Sequence, residues 1–317
     1  MSWRDLDGRV VVVGSGFLGL AIAGHLARSG AEATLVHRSP LHDAARAAAV
    51  GCRLVHGDAR LPQVARAAVA DARHVVWCAG GLMPAEAEVD PLGAVEAALG
   101  PVLGFLGALH TREIADFTFV SSGGTVYGGA HTHPIAETTV PEPQTAYGIA
   151  NLTTEGFVRR SCAQLGVRPL ILRCGNIYGP GQPGNRSQGL VAAALAAVVD
   201  GESIRMFGAG DAVRDYLYVD DFAHAVSRLV GREQAHEVFN VGSGTGASVR
   251  DVISTVESVT GRPLRVDHQP ARACDVPFVV LDTARLRSVV PNEPRSLDDG
   301  IRATWSAMPL AARSAPS

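Results

Sequence analysis

Several absences bound this sequence before any motif is read. No run of five or more basic residues occurs in its 317 positions, and the formal net charge is −3. Without a basic stripe, a nucleic-acid backbone or an anionic membrane surface is a poor main partner. No stretch approaches the roughly 18 uninterrupted apolar residues of a membrane span, and the opening MSWRDLDGR lacks a hydrophobic signal core. The expectation is a soluble, cytoplasmic protein. The five cysteines, at 52, 78, 162, 174 and 274, form no CxxC and make no pair with histidine at ligand spacing. They read as small buried hydrophobes in a reducing compartment, with neither a disulfide nor a metal role.

What is present is apolar and rhythmic. Hydrophobic residues make up 47% and charged residues 19%, enough to bury the core of one large domain or two closely joined ones. Strand-like runs occur at RVVVVG (9–14), ATLVHR (33–38), CRLVHGD (52–58), HVVWCAG (74–80), FTFVSS (117–122) and PLILRCGN (169–176). They are nearly continuous apolar runs, as expected of strands covered on both faces. Ala-rich helical stretches lie between them, the first from Leu18 to Ser29 and closed by Gly30. That alternation predicts an α/β fold with a Rossmann-like, doubly wound parallel sheet.

After Tyr178 the character changes. GPGQPGNRSQG (179–189) cannot be a regular element. A helix is expected over 190–200, then a loop, then YLYVDDFAHAVSRLV as a strand running into a helix capped by Asp220 or Asp221. VFNVGSG (238–244) reads as a further strand and turn. SVRDVISTVESVTG opens with a capping box, Ser248 and Asp251, and ends at Gly261. The polar tail after Ala307 reads as disordered.

VVVGSGFLG joins the first strand to the first helix and places Gly14, Gly16 and Gly19 as G-x-G-x-x-G. Glycine permits the tight turn and lets backbone approach a pyrophosphate, which the helix N-terminus then faces. The bland alternative is a tight turn with no ligand. Its place after a strand and before a helix supports a dinucleotide. At the end of the second strand stand His37, Arg38 and Ser39, with no carboxylate to accept from a ribose diol. Arginine suits a 2′-phosphate, so NADP(H) is preferred and NAD(H) stays possible, since Arg38 could equally stack on adenine or face solvent. Asp58, ending the third strand, is a candidate for the adenine amine or for capping the next helix.

Taken in order, VVGSGFLG, FVSSGGTVYG, PQTAYGIAN, LRCGNIYGPGQ, RDYLYVDDFAHAV, VFNVGSG and RACDVPFVVLD make the chain resemble the extended short-chain dehydrogenase/reductase family. These are NAD(P)-dependent nucleotide-sugar epimerases, dehydratases and ketoreductases, and the likeness runs from about Val10 to about Ile301. The resemblance implies a dinucleotide-binding domain over 1–176 plus about 212–242. It implies a smaller, discontinuous substrate domain over 177–211 and 243–307, with 308–317 as tail. Phe17 and Leu18 in the turn, and Ala79 after the fourth strand, join the cofactor set. Asn176, Arg214, Arg272 and Asp275 become contacts for a nucleotide-diphosphate sugar. The plain alternatives are a turn residue for Asn176, a salt bridge to Asp211 or Asp215 for Arg214, and a solvated charge for Arg272. Homodimers paired through two helices are implied too, here the helix near 92–110 and the one from Tyr147 to Gln164.

The departures from the family pattern carry the functional question. The family's acid/base tyrosine is Tyr147, but the lysine four residues on is Asn151. The usual Ser or Thr hydroxyl before VYG is Gly123, leaving Ser122 and Thr125 as substitutes, and the helix asparagine is Pro101. A free tyrosine titrates near ~10, so phenolate at neutral pH needs help that Asn151 lacks the charge to give. Reducing a ketone needs a neutral phenol as donor; oxidising an alcohol needs phenolate. The pattern therefore favours an NADP(H)-dependent 4-keto sugar reductase with Tyr147 as proton donor. The alternatives are a 4-epimerase with retained NAD and a degenerate member that only binds. A dehydratase fits least, because its usual Thr-Asp-Glu run is Gly123, Gly124 and Thr125 here. His131 or His133 could replace the acid/base, although an exposed loop is the plainer reading. Cys78 and Cys174 sit at strand ends and could border the cofactor, but read as packing residues.

Overall fold

The computed structural model describes residues 8–42, 49–111, 113–184, 189–271, 276–291 and 293–309. Six strands in the first half, β1 (Arg9–Val13), β2 (Ala33–His37), β3 (Arg53–His56), β4 (Ala72–Trp77), β5 (Asp116–Ser122) and β6 (Arg168–Cys174), join one late strand, β10 (Val238–Val241), in a single sheet. Its order is β3-β2-β1-β4-β5-β6-β10 and every neighbouring pair is parallel. Strand order therefore reverses beside β1, which opens a crevice at the C-terminal edge between β1 and β4.

The valines of β1 explain why this strand is central. Successive side chains point to opposite faces. Val10 and Val12 join Ile22, Leu26 and Phe222 in one core, while Val11 and Val13 join Trp77, Phe105 and Phe117 in the other. Helices cover both faces: α1 (Phe17–Arg28), α2 (Pro62–Val69), α3 (Pro84–Val89), α4 (Pro91–Gly107), the one-turn α5 (Gly123–Val126) and α6 (Ala146–Leu165). α4 packs along α6. Pro101 lies inside α4, where it leaves one carbonyl a turn earlier without its amide partner. β3 corrects the expectation of a strand covered on both faces: its burial alternates and Leu54 is 43% exposed, because it is the sheet's edge.

Beyond β6 a second layer is built from short strands and further helices. β7 (Asn176–Tyr178), α7 (Leu190–Asp200), β8 (Ser203–Phe207), β9 (Val213–Tyr218) and α8 (Val219–Leu229) lead to β10, and α8 returns to pack on α1. β11 (Gly246–Ser248), α9 (Val249–Thr260), β12 (Arg265–Gln269), β13 (Phe278–Val279), α10 (Ala284–Val289) and α11 (Leu297–Ala307) follow. β9 pairs with β7, β11 and β13, and β8 with β12. A separate core of Tyr178, Leu195, Met206, Tyr216, Val252 and Ile301 lies beneath α7, α9 and α11. The Ser248–Asp251 capping box forms in both directions and α9 ends at Gly261, φ 69°. Asp220 and Asp221 do not cap α8. Its N-cap is Tyr218, and both acids lie in the first turn, at the helix's positive end. Among the described residues no helix is long and apolar enough to cross a membrane. Arg272, Asp275 and the tail from 310 lie outside the described residues.

Candidate functional site

The glycine turn is built by close approach. Gly14 has φ 113°, and a Cβ there would lie 2.7 Å from the Ala79 amide nitrogen, so Ala79 closes against the turn. A Cβ on Gly19 would overlap the Gly14 carbonyl, which is how α1 comes down onto β1. Gly16 is different: nothing lies within 4 Å of a Cβ built on it. It is the N-cap of α1 and offers no side-chain cap, leaving the helix's first amides beside open space. That geometry fits a pyrophosphate, which the amides of Phe17 and Leu18 would hold.

At the adenosine end the backbone after β2 is tied by two imidazoles. His37 Nδ1 donates to the Ser39 carbonyl at 3.0 Å, and His56 Nε2 donates to the Arg38 carbonyl at 3.1 Å. Arg38 itself is exposed. Asp58 does not cap α2, whose N-cap is Leu61. Its carboxylate accepts from Arg60 Nε on both oxygens at 3.0 Å and from the guanidinium Nη2 at 2.6 Å. Arg60 thereby holds the Asp58 carboxyl below the usual carboxylate range.

Tyr147 is the second residue of α6, whose N-cap Thr145 accepts from the Gly148 amide at 3.1 Å. Burial pushes the Tyr147 phenol above its ordinary value, Asn151 works against this, and Cys174 adds to it. Asn151 is 8% exposed, and its amide donates to the Tyr147 carbonyl at 2.9 Å, within its own helix. No other ammonium can deputise, since all 28 basic side chains of the sequence are arginines. The site of the lost hydroxyl is filled as well. A Cβ on Gly123 would meet the Arg173 carbonyl oxygen and Leu281 Cδ1, each at 2.9 Å. The Thr125 hydroxyl oxygen is buried with no hydrogen-bond partner. Asn176 and Ser122 converge on Gly124, where a Cβ would lie 3.6 Å from Asn176 Oδ1 and 3.9 Å from Ser122 Oγ.

Three features escaped the sequence reading. Glu155 and Arg173, 0% and 4% exposed, form a buried ion pair at 2.8 Å that also takes the Ser121 hydroxyl at 2.7 Å. Glu155 follows Tyr147 and Asn151 at steps of four along α6, so helical periodicity could have found it. Nothing in sequence pointed to Leu281. Nor did anything reveal that Cys174, buried and with its thiol pushed up by desolvation, stands near Tyr147. His133 is exposed. His131 Nε2 is buried without a partner and lies near Gly129. Around Arg214, Asp211 pairs with Arg250, and Asp215 accepts from Ser243, Gly244 and Leu281. Arg214 donates to the Val213 carbonyl at 2.9 Å. Asn176 is an exposed strand residue rather than a turn residue.

The sequence profile of the NAD dependent epimerase/dehydratase family matches residues 10–242. A UDP-glucose 4-epimerase of Azospirillum brasilense is 31% identical, over 94% of this chain and 91% of its own. A dTDP-4-dehydro-6-deoxyglucose reductase of Escherichia coli is 29% identical over 62% of each chain, so the match spans less than two thirds of that relative. The crystal structure of a Thermus thermophilus UDP-glucose 4-epimerase, a complex with NAD, superposes with a TM-score of 0.86 at 26% identity, covering 97% of this chain and 100% of that one.

Proposed function

The chain belongs to the NAD dependent epimerase/dehydratase family, and from that premise we propose that it is an NADP(H)-preferring reductase of 4-keto nucleotide-diphosphate sugars. The observation that carries this is the raised pKa of Tyr147 beside an uncharged Asn151. A phenol pushed up by burial stays protonated at neutral pH. It is then ready to donate to the alkoxide that forms when a carbonyl is reduced. A bound nicotinamide would supply the hydride. Thr125, with its unpartnered buried hydroxyl, and Ser122 orient the sugar carbonyl, and Asn151 serves the nicotinamide ribose. Arg38 takes the 2′-phosphate.

On the substrate side Asn176 and Arg214 face the nucleotide diphosphate, with Arg272 and Asp275 completing the set. The reading includes a cofactor domain spanning the seven-stranded sheet and a substrate domain around the separate core of Tyr178, Leu195 and Met206. It also includes a cytoplasmic homodimer paired along α4 and α6. Leu92, Ile149 and Phe157, on those helices, are 70%, 48% and 41% exposed, which supports an apolar contact there.

Stopped-flow absorbance with NADPH and a 4-keto-6-deoxy nucleotide sugar tests the reaction. We expect hydride consumption, and Tyr147→Phe to slow it roughly 10²- to 10⁴-fold. Consumption that survives Tyr147→Phe unchanged would remove the assigned donor. A second reading, a 4-epimerase with retained NAD, is supported by the likeness to the Azospirillum brasilense enzyme along most of both chains. NAD carried through purification, with interconversion of UDP-glucose and UDP-galactose, would put it in place of the reductase. Tight cofactor binding without turnover of either substrate class would leave a member that only binds.

A further inference from the structure

We infer that His56, on the neighbouring strand, is a positioning residue for a 2′-phosphate: its ring fixes the Arg38–Ser39 turn so that Arg38 is ordered before the cofactor arrives. The inference rests on the reading that the protein takes NADP(H), and adds to it a residue outside the β2 turn.

His37 and His56 end β2 and β3, and they are direct partners in the parallel register. Their rings pack with centroids 5.1 Å apart, tilted by 41°. Each ring reaches a carbonyl of the turn, His56 that of Arg38 and His37 that of Ser39. A carbonyl oxygen only accepts, so each contact needs an N–H: Nδ1–H on His37 and Nε2–H on His56. Two consecutive carbonyls of an exposed turn are therefore tied to a packed pair of rings on two adjacent strands. An arginine on a slack turn must be ordered when it binds. Fixing its backbone beforehand removes part of that cost and limits where the guanidinium fork can reach to engage two oxygens of a phosphate.

The charges nearby suit an anion. Asp58 is the carboxylate whose field reaches Arg38, and Arg60 holds both of its oxygens. Arg38, Arg60 and Asp58 together carry a net single positive charge, before either imidazole is counted. At the end of β2 itself, the residues His37, Arg38 and Ser39 offer a ribose diol no carboxylate to accept from it.

The test measures, on the full chain, the Kd of NADPH, of NADH, and of adenosine 2′,5′-bisphosphate as an unreactive probe, with 5′-AMP as its control. His56→Phe keeps a ring and removes the donor; His56→Gln restores an N–H. His56 is exposed, so both variants should fold, and a melting curve checks this. We expect His56→Phe to weaken NADPH and the bisphosphate about 2- to 10-fold, the equivalent of one neutral hydrogen bond. NADH and 5′-AMP should stay within about twofold, and His56→Gln should recover most of the loss. Equal weakening of NADPH and NADH, or no change in either, would overturn the role of His56 while leaving a wild-type preference for NADPH standing. A wild-type protein that binds the bisphosphate no better than 5′-AMP overturns the NADP(H) reading itself, and this inference with it.

Discussion

The glycine turn after β1 and the start of α6, beside the end of β6, both lie at the C-terminal edge of the sheet, and they keep the resembled family pattern to different degrees. At the turn, Gly14, Gly16 and Gly19 are all present, and the structure gives each a separate setting: a positive φ, open space beside the helix N-terminus and a backbone overlap. In the second region the hydroxyl before VYG and the lysine after Tyr147 are both absent, and the hydroxyl's space is filled by Leu281 and a backbone carbonyl. Yet directly beneath, Glu155, Arg173, Ser121 and Tyr127 form a satisfied buried network. The scaffold beneath α6 is complete in its hydrogen bonds and ion pair, while Tyr147 has no positive charge beside it to favour phenolate. On the proposed reading, this is the arrangement expected of a site that donates its proton in one direction.

Removing the buried pair should show the largest effect. Arg173 donates to Glu155 at 3.1 and 2.8 Å and lies 4.9 Å over the Tyr127 ring. Glu155→Gln leaves a guanidinium buried without its counter-charge, a change that costs about 3–5 kcal/mol. The urea midpoint should fall accordingly, and α6 should lose order before the glycine turn does. A shift below about 1 kcal/mol would mean that water reaches Arg173 and that the scaffold is softer than its burial indicates.

A smaller effect should follow from giving back the missing hydroxyl. Gly123→Ser places a Cβ 2.9 Å from the Arg173 carbonyl and from Leu281. The backbone must shift, at about 1–3 kcal/mol for overpacking. We expect a lower melting temperature with no gain in reduction rate. A stable, faster variant would show that Leu281 yields readily and that the loss at 123 is only chemical.

How much of this was legible in the sequence depended on range. The glycine turn and the sheet were readable because their causes are local: short continuous apolar runs, a strand before the turn and a helix after it. Tyr147 and Asn151 were found through the family resemblance, at the step of four where that family has Tyr and Lys, and the i+4 step from Asn151 reaches Glu155. The filling of the Gly123 site was not legible, because Leu281 lies 158 positions away in sequence and arrives through the pairing of β13 with β9. For Asp58, only the helix-capping alternative failed, and for a related reason. Its partner Arg60 is only two residues on, but side-chain choice among equal local options is settled by the field around them. The helix caps proposed at Asp220 and Asp221 failed because Tyr218 leaves β9 already extended into the cap position, so the acids fall inside the first turn.

The smallest change in structure puts a charge back where the comparison says it matters. In Asn151→Lys the new ammonium stands one helical turn from Tyr147, and an opposite charge at that range lowers a phenol's pKa, typically by about 1–3 units. Tyr147 now titrates above its ordinary value. The sign follows directly. Oxidation, which needs phenolate, should rise with pH, and in Asn151→Lys that rise should begin at lower pH. Reduction, which needs phenol, should hold level from neutrality upward in the wild type and fall off earlier in the variant. Asn151 is buried, so the lysine is itself pushed toward its neutral form, which trims the shift toward the lower end of that range. Full pH profiles of both directions with NADP(H) measure this. If the two profiles do not move apart in opposite senses, the side chain at 151 does not set the direction of proton transfer, and the asymmetry between the two regions has another cause.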